Sequence, residues 1–126
     1  MLDTHYVVWA TVLGDRLTPA ESGLIEGSEI LVSAISLWEL RIKWNLRDSR
    51  GNRRGPADPV KILQNLKLLG IEAASLTPDQ AAAPLRHPVA HKDPFDQALL
   101  IHAQELDAKL LTRDRELARH PLAITA

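Results

Sequence analysis

Ile30-Leu31-Val32-Ser33-Ala34-Ile35-Ser36-Leu37-Trp38-Glu39-Leu40 passes from a compact apolar run directly into a helix-start pattern. The run at 30–32 reads as a buried strand. Ser36 followed three residues later by Glu39 matches the capping box, in which a hydroxyl and a carboxylate satisfy the backbone N–H groups that a helix start leaves open. A helix beginning at Ser36 is expected, with Leu37, Leu40 and Trp44 on one face and Glu39 and Lys43 one turn apart on another.

The same punctuation recurs on both sides of this stretch. Residues 1–3 read as a short strand and 4–13 as an apolar helix. Thr18-Pro19-Ala20-Glu21 supplies a capping hydroxyl, a proline at the first helical position and a box-closing glutamate for a helix ended by Gly27. Residues 60–69 place Ile62, Leu63, Leu66 and Leu69 at helical spacing before Gly70, and a strand at 71–74 follows. Thr77-Pro78-Asp79-Gln80 is another helix start, stopped before His87-Pro88. Asp93-Pro94-Phe95-Asp96 opens a helix running to about Glu105 with Phe95, Leu99 and Ala103 inward. A strand at 109–112, a short helix at 115–119 and a last strand at 122–124 complete the chain. Strands alternating with helices imply an α/β fold, a parallel sheet covered on both faces, over a single domain at 1–126.

In such sheets ligands bind beyond the carboxyl ends of the strands. Asp3 and Asp114 directly follow strands, while Glu39 and Asp96 lie in the first turns of helices. Each has an ordinary explanation as a helix-dipole or capping residue, and Asp93 is well placed to cap the helix that Pro94 begins. Four acids converging on one edge go beyond that explanation, because like charges held close need a cation. Oxygen-only ligands favour magnesium or manganese over zinc.

Composition narrows the alternatives. With 15 Lys and Arg against 16 Asp and Glu, the net charge of −1 excludes a polybasic nucleic-acid binder, so any such contact must be local. The best local patch is Arg47, Arg50, Arg53 and Arg54 in a Gly-rich loop at 47–56, equally readable as solvated sequence. Cysteine is absent, which removes disulfides, thiolate nucleophiles and cysteine zinc sites and is compatible with a reducing, cytoplasmic setting. No apolar stretch approaches a membrane span. His5, His87, His91, His102 and His120 lack paired zinc spacing, and neither a phosphate-cradling glycine loop nor a Gly-x-Ser-x-Gly elbow occurs. Trp9, Trp38 and Trp44 at helical positions read as core.

Leu2-Asp3-Thr4-His5, Ser36-Leu37-Trp38-Glu39-Leu40, His91-Lys92-Asp93-Pro94-Phe95-Asp96-Gln97-Ala98-Leu99-Leu100 and Leu111-Thr112-Arg113-Asp114 together resemble a PIN domain, and more narrowly the VapC-type toxins of bacterial toxin–antitoxin pairs. The resemblance spans essentially the whole chain. It implies a three-layer α/β/α fold with a small parallel sheet, and a magnesium- or manganese-dependent ribonuclease that is dimeric and inhibited by a cognate, VapB-like antitoxin. It also implies that the catalytic and metal-binding acids are Asp3, Glu39, Asp96 and Asp114, with Thr112 and Asp93 in support. Asp96 is chosen over Asp93 because the helix reading Asp-Gln-Ala-Leu-Leu-Ile-His-Ala matches the one that starts at the family's third acid. The basic loop is longer than the family pattern leads one to expect. Two other classes stay open: an inactive PIN-like RNA-binding or regulatory module, and a phosphotransfer domain with Asp3 as nucleophile. The latter calls for Asp-x-Asp after the first strand, where this chain has His5.

Overall fold

A computed structural model describes residues 1–90 and 93–126. His91 and Lys92, which open one of the motifs above, lie outside the described residues. In chain order the elements are α1 (Thr4–Thr11), a 3-10 turn (Gly14–Arg16), α2 (Pro19–Glu26), β1 (Leu31–Ser33), α3 (Ala34–Asn45), α4 (Pro59–Leu68), β2 (Glu72–Ala74), α5 (Pro78–Ala82), α6 (Pro94–Glu105), β3 (Leu110–Leu111) and β4 (Ala123–Ile124).

β1 pairs in parallel with β2, and β3 with β4. Residues 1–3 join the two pairs. Leu2 N–H donates to Leu31 O at 3.0 Å, and on the other side Leu2 pairs in parallel with Leu111. The spatial order is therefore β2, β1, residues 1–3, β3, β4. The chain starts in the middle, builds outward through β1 and β2, then crosses back to build the other way. Its direction reverses between residues 1–3 and β3, and a crevice opens at such a reversal.

Strand alternation sends neighbouring residues to opposite faces. Leu2, Val32 and Leu111 pack with Tyr6, Val7 and Val8 of α1, Leu40 of α3 and Ile62 and Leu66 of α4. Met1 and Leu110 point the other way, into Leu99, Leu100 and Ala103 of α6. Two apolar clusters on either side of one small sheet make a three-layer α/β/α fold, as expected.

Three expectations are corrected. The helix expected from Ser36 starts at Ala34, and its cap is Ser33, whose Oγ accepts from Ile35 N–H at 3.0 Å. Strand and helix are thus fused without an intervening turn, so Ser36 and Glu39 form no capping box. The short helix expected at 115–119 is a series of turns. Asp114 Oδ1 accepts from Glu116 N–H at 2.8 Å and Asp114 O from Leu117 and Ala118 N–H, and so few residues before His120-Pro121 cannot sustain a helix nucleus. Trp38 is 61% exposed, whereas Trp9 and Trp44 are half-buried. The capping boxes at Thr18–Glu21 and Thr77–Gln80 form as read.

His102 ties the layers together from complete burial. Its Nδ1 lies 2.7 Å from Ser33 Oγ and its Nε2 3.2 Å from Ser75 O. A carbonyl only accepts, so Nε2 carries the proton and Nδ1 accepts from the serine hydroxyl. Burial holds the His102 pKa below its ordinary 6.5. The unfolded chain therefore takes up a proton first as pH falls, and stability declines below about pH 6.5. His102→Gln should lower stability at pH 8 by about 1–3 kcal/mol and flatten its pH dependence between 6.5 and 5. Urea titrations of both proteins across that range check this, and parallel pH profiles would count against it.

Candidate functional site

The reversal of strand order places the end of residues 1–3 beside the end of β3, and the acids follow from there. Asp3 N–H donates to Leu111 O at 3.1 Å, fixing the two strand ends side by side. The Asp3 carboxylate then caps α1, with Oδ1 accepting from Tyr6 N–H at 3.1 Å. It is 7% exposed. Burial pushes its pKa above the ordinary value, against the opposing hydrogen bonds from Thr112 and Tyr6 and the nearby charge of His5. Burial thus disfavours the charged form of this carboxylate, a cost that a nearby cation would offset.

Thr112 is fully buried and links two acids. Its hydroxyl hydrogen-bonds the Asp3 carboxylate and accepts Asp114 N–H at 3.0 Å. Glu39, 6% exposed, is reached through Thr4. Thr4 Oγ1 lies 2.7 Å from Glu39 Oε1 and 3.1 Å from Ser36 Oγ. One hydroxyl proton serves one acceptor, so Thr4 donates to the carboxylate, the stronger bond, and accepts from Ser36. Lys43 Nζ donates to Glu39 Oε2 at 2.7 Å. With no cap to fill, Glu39 turns its carboxylate toward α1 instead of back along its own helix.

Asp96 is half-buried in the first turn of α6. Because α6 ends where the chain enters β3, its start lies at the opposite, carboxyl-terminal edge of the sheet. Asp93 is the cap, its Oδ1 accepting from Phe95 N–H at 2.8 Å and Asp96 N–H at 3.4 Å. Asp93 is thereby committed to the helix start. Thr112 thus joins Asp3 to the turn that bears Asp114, Glu39 is bonded to Thr4, the residue next to Asp3, and Asp96 stands at the start of α6. Among the described residues, no three Asp, Glu or His side chains stand as a ready-made cage for a metal ion.

A second network behind these acids escaped the sequence reading. Glu21, 3% exposed, accepts from Tyr6 Oη at 2.6 Å, from Arg113 Nε at 2.7 Å and from Arg113 Nη2. It also closes its capping box by accepting Thr18 N–H at 2.8 Å. The Arg113 guanidinium beside it holds the Glu21 carboxyl at about 2. Burial, helped by Glu21, pushes the Tyr6 phenol up to about 12. Arg113 continues over the Trp9 ring, its Cζ 4.2 Å from the centroid, and donates to Arg16 O at 2.8 Å. Since Tyr6 N–H holds Asp3 and Arg113 precedes Asp114, this network braces both acids. Glu21 read as a cap, which concealed its second use; the one available signal was Arg113 inside the Leu111-Thr112-Arg113-Asp114 motif.

The arginines of the basic loop are unequal. Arg47 Nη1 donates to Gly51 O and Arg53 Nη1 to Trp44 O, both at 2.8 Å, and Arg53 stacks 4.6 Å from the Trp44 centroid. Asp48 Oδ1 gathers Arg50 and Asn52 N–H into a tight turn at 2.8 and 3.0 Å. Arg47 and Arg53 therefore build the loop, while the exposed Arg50 and Arg54 side chains form its basic face.

No described helix is long and apolar enough to cross a membrane. The PIN domain family model matches residues 1–122. Over 131 aligned residues, spanning 99% of this chain and 95% of the relative, the sequence is 32% identical to a Mycobacterium tuberculosis (strain ATCC 25618 / H37Rv) protein named Ribonuclease VapC22. No solved structure matches. A family match across nearly the whole length, beside a relative 32% identical over 99% of the chain, shows that this chain belongs to the PIN domain family as a VapC-type protein.

Proposed function

We propose that this chain is a divalent-metal-dependent endoribonuclease, the toxin of a toxin–antitoxin pair, folded as one domain and working as a homodimer. The observation that carries the reading is Asp3, a buried carboxylate whose ionisation is disfavoured, hydrogen-bonded through Thr112 to the turn that bears Asp114. The likeness to a protein named as a ribonuclease supports RNA as the substrate.

The donor set fits magnesium or manganese. All its atoms are carboxylate oxygens, and magnesium is commonly held by one or two carboxylates plus waters and substrate phosphate, which needs no preformed cage. Asp3 and Asp96 would hold the ion directly, with Glu39 and Asp114 acting directly or through water. When bound, the ion supplies a water of lowered pKa and neutralises charge at the scissile phosphodiester. The chain's own side chains supply orientation. Tyr6 N–H and Thr112 fix Asp3, and Thr4 and Lys43 fix Glu39, so that either carboxylate stands ready to accept the proton lost by the attacking water. Asp93 holds the start of α6, and with it Asp96. Arg50 and Arg54 would contact backbone phosphates, with Arg47 and Arg53 shaping the loop that presents them.

A VapB-like antitoxin would inhibit by placing an arginine among these acids, pairing with Asp96 or Asp114 where the cation otherwise sits. Purified protein should cleave cellular RNA with magnesium or manganese, stop on chelation, and fall silent when co-expressed with the neighbouring gene product. RNA binding without cleavage under all of these conditions would favour the inactive-module reading.

A further inference from the structure

Beside the acids, between α1, α3 and the end of the basic loop, lies a cleft of about 520 Å³. Thr4 and Lys43, the two residues that hold Glu39, form its near wall, so it opens directly off the candidate site. Arg16, Lys43 and Arg54 line it, and none of the described residues lining it is acidic. In a chain of net charge −1 this is a local concentration of cationic groups. Its floor is apolar: Leu13 and Leu46, 36% and 46% exposed, face solvent there beside the half-buried Trp9, with the buried Leu40 beneath. Cationic walls over an apolar floor suit an anionic backbone carrying a flat, uncharged ring. The volume falls within the roughly 300–1,000 Å³ of small-ligand sites.

The loop wall is fixed, not incidental. A Cβ on Gly55 would stand 2.6 Å from Trp44 N and 2.8 Å from Trp44 Cα and Lys43 C, all backbone atoms of α3. Gly55 is therefore the residue that lets the loop lie flat on the end of α3, and Arg54 N–H donates to Leu46 O at 2.9 Å alongside it. This contact sets Arg54 across the cleft from α1.

We propose that this cleft is the subsite for the unpaired nucleotide next to the scissile phosphate: its base lies on Leu13, Leu46 and Trp9, and its phosphates meet Arg16 and Arg54. The inference deepens the ribonuclease reading and rests on it for the identity of the ligand. A paired nucleotide has its base covered by its neighbours, so the apolar floor selects single strands.

The test is binding of a fluorescein-labelled single-stranded RNA oligonucleotide in chelator, so that it reads out whether or not the protein cleaves. Arg16→Gln with Arg54→Gln should weaken binding roughly tenfold at 0.1 M salt and lower the log–log salt slope by roughly 0.7 for each contact removed. Arg16→Lys with Arg54→Lys should restore most of both. Leu46→Ser should weaken the single strand while leaving its salt slope unchanged, and should leave duplex RNA unaffected. Gly55→Ala, confirmed folded by circular dichroism, should reproduce the loss caused by removing Arg54. Unchanged single-strand affinity in the glutamine variants overturns the proposal, as does lost antitoxin affinity with intact RNA affinity, which would give the cleft to a protein. If the parent protein binds RNA through these residues but never cleaves it, the subsite stands and the nuclease reading fails.

Discussion

Asp3→Asn is expected to lower RNA cleavage by about 10²- to 10⁴-fold while raising the melting temperature of the metal-free protein. Most substitutions of a buried, hydrogen-bonded residue destabilise, so the two signs together are diagnostic. Asn retains the α1 cap, because its side-chain oxygen still accepts Tyr6 N–H, and it keeps an acceptor for Thr112. What disappears is a charge that burial disfavours, the cause of the raised Asp3 pKa. The same contrast gives a thermodynamic readout of the cation. Magnesium or manganese should raise the melting temperature of the parent protein by mass action and leave the Asn variant unmoved. Differential scanning fluorimetry in chelator and in each metal, beside a cleavage assay, checks both halves. A variant that melts lower than the parent in chelator would make Asp3 a structural residue, and one that cleaves normally would remove it from the chemistry.

The layering of the fold was legible because it rests on local signals. Thr18 and Thr77 announce helices through chemistry confined to four residues, and both boxes form. The apolar alternation of Met1-Leu2 and Leu110-Leu111 was enough to cover both sheet faces. Ser36-Leu37-Trp38-Glu39 misled because the same local pattern lies inside a helix already begun: Ser33, three residues earlier at the end of the strand, takes the cap and donates its hydroxyl hydrogen bond to His102, a partner far along the chain. No four-residue rule sees that partner. The same limit hid the Glu21–Arg113 pair, separated by most of the chain and visible only once α2 and the turn after β3 meet. Asp3, Glu39, Asp96 and Asp114 were readable as candidates from their places near strand ends and helix starts, but how closely their side chains approach is not a local property, and among the described residues no three acids stand together. Which arginines of the basic loop face outward was not readable, since it depends on how Arg47 and Arg53 fold back on Gly51 and Trp44.

Glu21→Gln is expected to destabilise the protein by about 2–4 kcal/mol at pH 7. The substitution keeps the shape and removes the charge that pairs with the Arg113 fork and with the buried Tyr6 hydroxyl. Arg113 is 42% exposed and regains water when its partner is neutral, which keeps the loss below that of a fully buried pair. The pH dependence carries a definite sign. Arg113 first, with Tyr6 and the Thr18 N–H assisting, holds the Glu21 carboxyl at about 2 against an ordinary 4.5. A depressed acid contributes stability that is whole above the unfolded value and drains away as pH falls through the folded one. Gln imitates the protonated acid, so the stability gap between parent and variant should hold steady from pH 7 to 5 and close between 4.5 and 2. Denaturant midpoints at intervals across that range measure it, and a gap that stays constant to pH 2 would mean the loss came from packing, not charge. Activity should fall with it, by about 10- to 100-fold, since the network braces Asp3 through Tyr6 and Asp114 through Arg113. Arg113→Lys should not escape this penalty, because a single ammonium cannot reproduce two parallel bonds to one carboxylate while stacking on Trp9. Full activity in that lysine variant would show that the site needs a positive charge there and nothing of the guanidinium's geometry.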